Sequence, residues 1–334
     1  MYCEHNHFTP DSKTVIIRRQ RELSPGAPSD IYRCDVDGTN MVQLTDEDGV
    51  YGVALSRDGR YVYYLQGTTL KRVHIETFGL EEVINVPDTQ PGGVGFAGQT
   101  GDGKYILCTL RVGEEPGLFR LATDGSEAAL LFKAPYVGHV VCSPGHDVVS
   151  FGARINGNSR LRVMDVQGGE PREFPMQRFA HCSWLGRTRR IQGCLLTPGR
   201  AIMSMAEGDT EPEKIVAGPY FWHSASTLDG EWIIADTNWP DDGLQLVHVP
   251  TRSFMFLCES GASGVDGIGG HPEPNISPDG KVVIWTSDRT GIAQVYLAHV
   301  PDGMREALRH SVDWKGTPDD PQPHYMPRHS WVRV

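Results

Sequence analysis

The sequence predicts an all-β protein, and within that class a seven-bladed β-propeller, on the strength of three observations. A tight-turn motif recurs seven times with a period of about 45 residues, which is typical of propeller blades. Each copy is followed by an apolar run rich in β-branched and aromatic residues. No long stretch has the apolar period of an amphipathic helix, so strands must supply the core.

The turn motif is clearest at Ser277-Pro278-Asp279-Gly280, where proline presets one turn dihedral and Asp and Gly tolerate the others. The fifth copy is the weakest, and it is located by its spacing and by Trp184. The seven copies begin at Thr9, Ser56, Thr100, Ser143, Leu185, Thr227 and Ser277.

Each turn leads into an apolar segment that we interpret as a strand of its blade. Further strands follow in several copies, such as 31–36, 118–121 and 161–164, and a fourth is visible at 42–45. The segments that follow the turns are 14–17, 61–65, 105–110, 148–151, 191–196, 232–235 and 282–285.

These repeats predict one domain, residues 1–302, followed by a C-terminal tail, residues 303–334. Two arrangements of the tail are open. Its last residues, His329 to Val334, supply the outer strand of the last blade, or the tail packs over one face of the propeller.

Composition and charge limit which kinds of partner and which cellular compartment are expected. The net charge is −11 without a Lys/Arg-rich run, which argues against nucleic acid or an anionic membrane as the main partner. The chain opens without a basic and apolar leader and contains no apolar span of about 18 residues. Its seven cysteines are scattered, which favours reduced thiols. We therefore expect a cytoplasmic protein, of an oligomeric state that the sequence does not indicate.

Histidines recur at one position of the repeat, four residues before the turn. In a propeller the first strand of each blade lines the central channel, so these residues are predicted to converge. Imidazole and carboxylate groups around one point suit Mn²⁺, Fe²⁺, Ni²⁺ or Zn²⁺. The alternative is a polar lining around ordered water. The seven residues are His5, Gly52, Phe96, His139, His181, His223 and Glu273.

Several of these segments resemble the oligogalacturonate lyase family. The last blade carries His271-Pro272-Glu273-Pro274 and the Trp285–Arg289 segment, both similar to that family's last blade. His181-Cys182-Ser183-Trp184 resembles an HExW-type segment of the family, and Phe8-Thr9-Pro10-Asp11-Ser12 resembles its opening segment. The resemblance runs over most of the chain and is weakest in the second and third repeats.

This resemblance implies a seven-bladed propeller that binds a divalent metal, Mn²⁺ in the family, and cleaves short galacturonides by β-elimination. Carried over by position, His223 and His271 are metal ligands. Glu273 stands where the family has a third ligating histidine, and Ile268 stands where it has a ligating glutamine. Two of the four expected ligands therefore differ.

The resemblance also implies the other groups of the reaction. His181 matches the catalytic base, and Arg160 resembles an arginine that holds the substrate carboxylate. Water, His5 or His139 would take the ligand position that Ile268 leaves open.

The chemistry is coherent without the family. A metal and an arginine on the C6 carboxylate of a uronate disperse the charge that develops when the C5 proton leaves, and a neutral imidazole is a suitable base. We therefore expect a carbon–oxygen lyase of pectin degradation whose partner is a small acidic oligosaccharide. Two alternatives are open: another acidic glycan as substrate, or a non-catalytic TolB-like propeller that binds a partner. A serine hydrolase is disfavoured because no GxSxG motif is present.

Overall fold

The computed structural model describes residues 5–22, 27–92, 98–176, 179–195, 200–237, 243–264 and 270–310. Two compact units are distinguished: an N-terminal unit, His5–Pro175, and a C-terminal unit that begins at Met176. Nearly all regular structure in the described ranges is antiparallel β-strand, as the turn-and-strand repeat predicts.

The N-terminal unit contains four antiparallel sheets. In the first, a bridge between Phe8 and Val15 precedes the strand order β1-β2-β3, and in the third, two short strands pair with β10. The strands are β1 Thr14–Gln20, β2 Ser29–Asp35, β3 Val42–Gln43, β4 Val50–Leu55, β5 Tyr61–Gln66, β6 Thr69–His74, β7 Leu80–Asn85, β8 Gln90–Pro91, β9 Gly98–Gln99, β10 Tyr105–Val112, β11 Glu115–Ala122, β12 Ala128–Lys133, β13 Val137–Cys142, β14 Val148–Ile155, β15 Asn158–Asp165 and β16 Arg172–Glu173.

The C-terminal unit contains three antiparallel sheets, in the orders β17-β18-β19-β20, β21-β22-β23-β24 and β25-β26-β27, followed by helix α1, Asp302–His310. The strands are β17 Phe179–Trp184, β18 Arg190–Leu195, β19 Ala201–Ala206, β20 Glu213–Ala217, β21 Phe221–Ser226, β22 Trp232–Thr237, β23 Gly243–His248, β24 Ser253–Cys258, β25 Asn275–Ile276, β26 Val282–Ser287 and β27 Gln294–His299.

The fold class is a seven-bladed β-propeller, as predicted, with one sheet for each of the seven sequence repeats in the described residues. Six of the seven predicted post-turn segments lie within a strand of their sheet, for example 232–235 in β22 and 282–285 in β26, and residues 191–195 of the other lie in β18. The weakest repeat, the fifth, forms a complete four-stranded sheet, β17 to β20.

The turn before each apolar strand is braced in the same way in five of the repeats. A Ser or Thr hydroxyl donates to the Asp carboxylate two residues later, and the next Gly adopts a left-handed φ in four of the five, with Ser12 taking that place in the first. The hydrogen bonds are Thr9–Asp11 at 2.7 Å, Ser56–Asp58 at 2.6 Å, Thr100–Asp102 at 2.7 Å, Thr227–Asp229 at 2.5 Å and Ser277–Asp279 at 2.7 Å.

Helix α1 is the one helix among the described residues, and the sequence pattern did not predict it. It spans nine residues, too few for its period to stand out, and it buries only Met304 and Leu308. These two side chains join an apolar cluster that includes Trp232 and Trp285. The predicted tail therefore begins as a packed helix. Residues 311–334, on which the choice between an outer strand and packing over one face depends, lie outside the described residues. No helix among the described residues is long and apolar enough to cross a membrane.

The fifth and sixth sheets approach closely at Gly186, whose φ is +54°. A Cβ built there would lie 2.6 Å from the backbone N of Gly230 and 2.6 Å from the carbonyl O of Leu228. We expect Gly186→Ala to lower the free energy of unfolding by roughly 2–4 kcal/mol, because overlap with rigid backbone adds to the left-handed strain. Urea unfolding measures this loss.

Gly67→Ala is the matched control, since its φ is +61° and nothing lies within 4 Å of the added Cβ. It should lose only about 1 kcal/mol, the cost of the φ angle alone. Equal losses in the two variants would show that the close approach at Gly186 does not limit stability.

Candidate functional site

The predicted histidines of three innermost strands lie in β-bulges. In each bulge, two residues of the first strand lie between consecutive pairs and face one residue of the next strand. The paired segments are His139-Val140 opposite Phe151, His181-Cys182 opposite Gly193, and Trp222-His223 opposite Asp236. The repeat position chosen from the sequence is therefore an irregular position of the strand, where side chains can be redirected.

Backbone strain accompanies this position. His139, His181 and Glu273 have φ angles of +47°, +50° and +44°, whereas Gly52 has +57° at the equivalent point of the second repeat. A non-glycine residue with such an angle costs about 1 kcal/mol or more, and strained residues of this kind cluster at functional sites. Phe96, the equivalent residue of the third repeat, lies outside the described residues.

Three imidazoles of the C-terminal unit form a contiguous cluster. The ring centroids of His181 and His223 are 4.1 Å apart, and those of His223 and His271 are 5.5 Å apart. His223 is 1% exposed, and the Nδ1 atom of His181 and the Nε2 atom of His271 are also shielded from solvent. Side chains that are 42 and 48 residues apart along the chain are thus brought together: His181 and His223 share the repeat position chosen from the sequence, and His271 lies two residues before the equivalent Glu273.

Asp236 fixes the orientation of His223. Its carboxylate, which is fully buried, accepts from the backbone N of His223 at 2.6 Å and from the Nδ1 of the same residue at 2.7 Å. Because a carboxylate only accepts, Nδ1 carries a proton, and in the neutral imidazole the lone pair is then on Nε2. This is the arrangement in which a carboxylate prepares a histidine to ligate a metal.

A second buried network joins the strands that carry His181 and His223. Gln192 on β18 donates to the Oγ of Ser183 at 2.6 Å and to the carbonyl O of Ser224 at 3.1 Å. Its Oε1 accepts from the Oγ of Ser224 at 2.7 Å. Gln192 and Ser224 are fully buried, so these bonds are strongly favoured and hold β17 against β21.

The His271–Glu273 segment precedes β25 and is held by one backbone bond, from the N of Thr286 to the carbonyl O of Pro272 at 2.9 Å. His271 and Glu273 are both half-buried. Ile268, the residue in the place of the family's glutamine ligand, lies outside the described residues.

The donor atoms fit a divalent metal in part. Two imidazoles that share a cation at about 2.1 Å have ring centroids roughly 4.5–5.5 Å apart. The His223–His271 pair meets this condition at 5.5 Å, whereas His181 lies closer to His223, at 4.1 Å. In the part of the chain that the structure describes, no group of three His, Cys, Asp or Glu side chains is arranged to hold a metal. His223 and His271 therefore fit as a pair of ligands, and His181 fits a different role.

The other predicted residues lie in the N-terminal unit. Burial, and after it the nearby imidazoles of His7 and His139, lowers the pKa of His5 to about 3. Arg160 lies on β15 with its side chain 40% exposed, and its Nε pairs with Glu173 at 3.4 Å.

Asp236 and Gln192 were missed by the sequence analysis. One signal for Asp236 was available, since it is the single charged residue of the apolar strand from Trp232 to Thr237. Such a residue is buried in a sheet only when its hydrogen bonds are satisfied. Gln192 gave no comparable signal.

In sequence and in fold, the chain is similar to oligogalacturonate lyases. No family model matches the chain. An oligogalacturonate lyase from Dickeya dadantii (strain 3937) is 24% identical in an alignment that covers 90% of this chain and 91% of the relative. A crystal structure of oligogalacturonate lyase from Vibrio parahaemolyticus has a TM-score of 0.74 at 18% identity, covering 91% of this chain and 90% of its own. An oligogalacturonate lyase in complex with manganese has a TM-score of 0.75 at 20% identity, with the same coverage.

Proposed function

We propose, from the premise that this chain is related to the oligogalacturonate lyases over 90% of its length, that it is a metal-dependent lyase that cleaves short uronic-acid oligosaccharides by β-elimination. The observation that carries the proposal is the His181–His223–His271 cluster, with Asp236 directing Nε2 of His223 away from itself. The proposed reaction would be a step of pectin degradation. A cytoplasmic setting is supported by the six described cysteines, all of which are thiols.

The residues that would hold the metal are His223 and His271, with Glu273 as a third ligand. A divalent cation held there would neutralise the charge on the C6 carboxylate of the uronate. Mn²⁺ is favoured because an oligogalacturonate lyase of similar fold is a complex with manganese. Glu273 adds a negative charge where the resemblance places a neutral histidine. This substitution favours the second candidate function, in which the same site acts on another acidic glycan.

The chain's own groups account for proton transfer. His181 would take the C5 proton of the uronate, and because its Nδ1 is buried, Nε2 is the nitrogen that would receive the proton. The C5–H electrons then form the C4=C5 double bond while the bond from C4 to the glycosidic oxygen breaks. Arg160, which the resemblance assigns to the substrate carboxylate, has its Nε paired with Glu173 at 3.4 Å.

The test is turnover of galacturonides by the purified protein. We expect saturated di- and trigalacturonate to yield a product with the ultraviolet absorbance of a C4=C5 unsaturated uronide. Chelation should abolish the reaction and added Mn²⁺ should restore it. Oligoglucuronides and oligomannuronides, tested in parallel, distinguish the two candidate substrates. Absence of unsaturated product from every uronide, in a metal-loaded protein, would exclude the lyase and leave the binding propeller.

A further inference from the structure

Trp222 differs from the other described tryptophans in its exposure. Trp184, Trp232 and Trp285 are 7%, 2% and 4% exposed, as expected for large apolar side chains between packed sheets. Trp222 is only half-buried, although its neighbours Phe221 and His223 are each 1% exposed. A partly exposed indole between two buried residues is not needed to fill the core.

The bulge in β21 turns Trp222 towards the imidazole cluster. Trp222 and His223 together face Asp236, so the strict alternation of side chains is interrupted at this point. The ring of His181 lies 5.6 Å from the Trp222 ring and 4.1 Å from that of His223. The indole therefore borders the group that we propose as the base.

Tyr220 extends this aromatic surface. Its ring is nearly parallel to that of Trp222, with an interplanar angle of 18° and a centroid distance of 6.0 Å. Tyr220 is also half-buried. Trp222 therefore contacts both the Tyr220 ring and the imidazole of His181, and the three rings are contiguous.

We infer that Trp222, extended by Tyr220, is a stacking surface for a pyranose ring of the substrate. The carbon-bound hydrogens on one face of a sugar ring carry a partial positive charge and suit the negative face of an aromatic ring. Binding pockets place such aromatic walls beside the few polar groups that set orientation. This inference rests on the proposed function, because it assumes that the sugar that loses its C5 proton binds beside His181.

The ring on this surface would be the sugar next to the one that loses its C5 proton. The Trp222 ring borders His181 at 5.6 Å and Tyr220 at 6.0 Å between ring centroids, so the aromatic rings reach beyond the reacting group. A contact with a non-reacting sugar is equally strong in the ground state and in the transition state. Such binding changes KM and leaves kcat nearly constant.

The experiment compares Trp222→Ala, Trp222→Phe and Tyr220→Ala with the wild-type protein on trigalacturonate. We expect Trp222→Ala to raise KM about tenfold with kcat within about threefold, and Trp222→Phe to recover most of that loss. Tyr220→Ala should show a smaller rise in KM. Tyr296→Ala is the matched control, since Tyr296 is also half-buried and also stacks on a tryptophan, with its ring 5.7 Å from that of Trp285.

A binding measurement separates this inference from the proposed function. Saturated digalacturonate is titrated into protein from which a chelator has removed the metal, so that no turnover occurs. Tryptophan fluorescence is compared between wild type and Trp222→Phe, and the difference is the signal of Trp222. A sugar-dependent change lost in Trp222→Phe supports stacking even if no turnover occurs. An unchanged KM in Trp222→Ala, or a fall in kcat alone that Trp222→Phe does not rescue, would overturn the inference while leaving a lyase intact.

Discussion

Asp236→Asn is expected to weaken Mn²⁺ binding and turnover by about 100-fold, the upper end of the range for groups that orient a metal-ligating histidine. In the wild type both carboxylate oxygens accept from His223, at 2.6 and 2.7 Å. An asparagine has one oxygen, so its amide NH₂ must face either the backbone N–H or Nδ1. When the amide NH₂ faces Nδ1, it donates a hydrogen bond to that nitrogen. The imidazole proton must then move to Nε2, the atom that would ligate the metal. Titration calorimetry with Mn²⁺ measures the loss directly.

Two further variants, one that removes the imidazole and one matched control, test this interpretation. His223→Ala should lose metal binding at least as completely, and Asp236→Asn combined with it should add little, because both changes act through the same imidazole. Asp288→Asn is the matched control, since Asp288 also accepts two hydrogen bonds, from the N and Oγ of Ser263, but on an exposed loop. If Asp236→Asn binds Mn²⁺ as tightly as Asp288→Asn, His223 is not a ligand.

The blades were predictable because their determinants are local. A hydroxyl, a carboxylate and a glycine within four residues form the braced turn, and the apolar run after it forms the strand. Repetition then supplies what a single copy lacks, since the weak fifth repeat is located by the spacing of its neighbours. The same register placed His181 and His223 in one cluster.

The remaining features depend on contacts between sheets, which leave little trace in a local pattern. Asp236 is recognisable as a partner of His223 only when the bulge in β21 sets both residues opposite each other. The left-handed φ of His181 and Glu273 occurs at positions where most sequences would use glycine. Helix α1 is stabilised by burial of Met304 and Leu308 against the sheets rather than by its own propensity.

His181→Ala is expected to lower kcat by about 10²- to 10⁴-fold, the range for loss of a positioned general base. Its ring lies 4.1 Å from that of His223, closer than two imidazoles on one cation and close enough to act on the same substrate. We therefore expect the variant to bind Mn²⁺ with wild-type affinity, which distinguishes a base from a ligand. Added imidazole, which can occupy the vacated space, should restore part of the rate.

The control for this variant is His299→Ala, which removes an exposed imidazole from β27 of the same unit and should leave kcat unchanged. Undiminished turnover of His181→Ala would reject the assigned base. Loss of Mn²⁺ binding in His181→Ala would instead make His181 a ligand beside His223 and His271. The base would then have to come from another residue of the cluster. The metal titration thus decides whether this imidazole acts on the substrate or on the metal, because a base can be removed without loss of the cation whereas a ligand cannot.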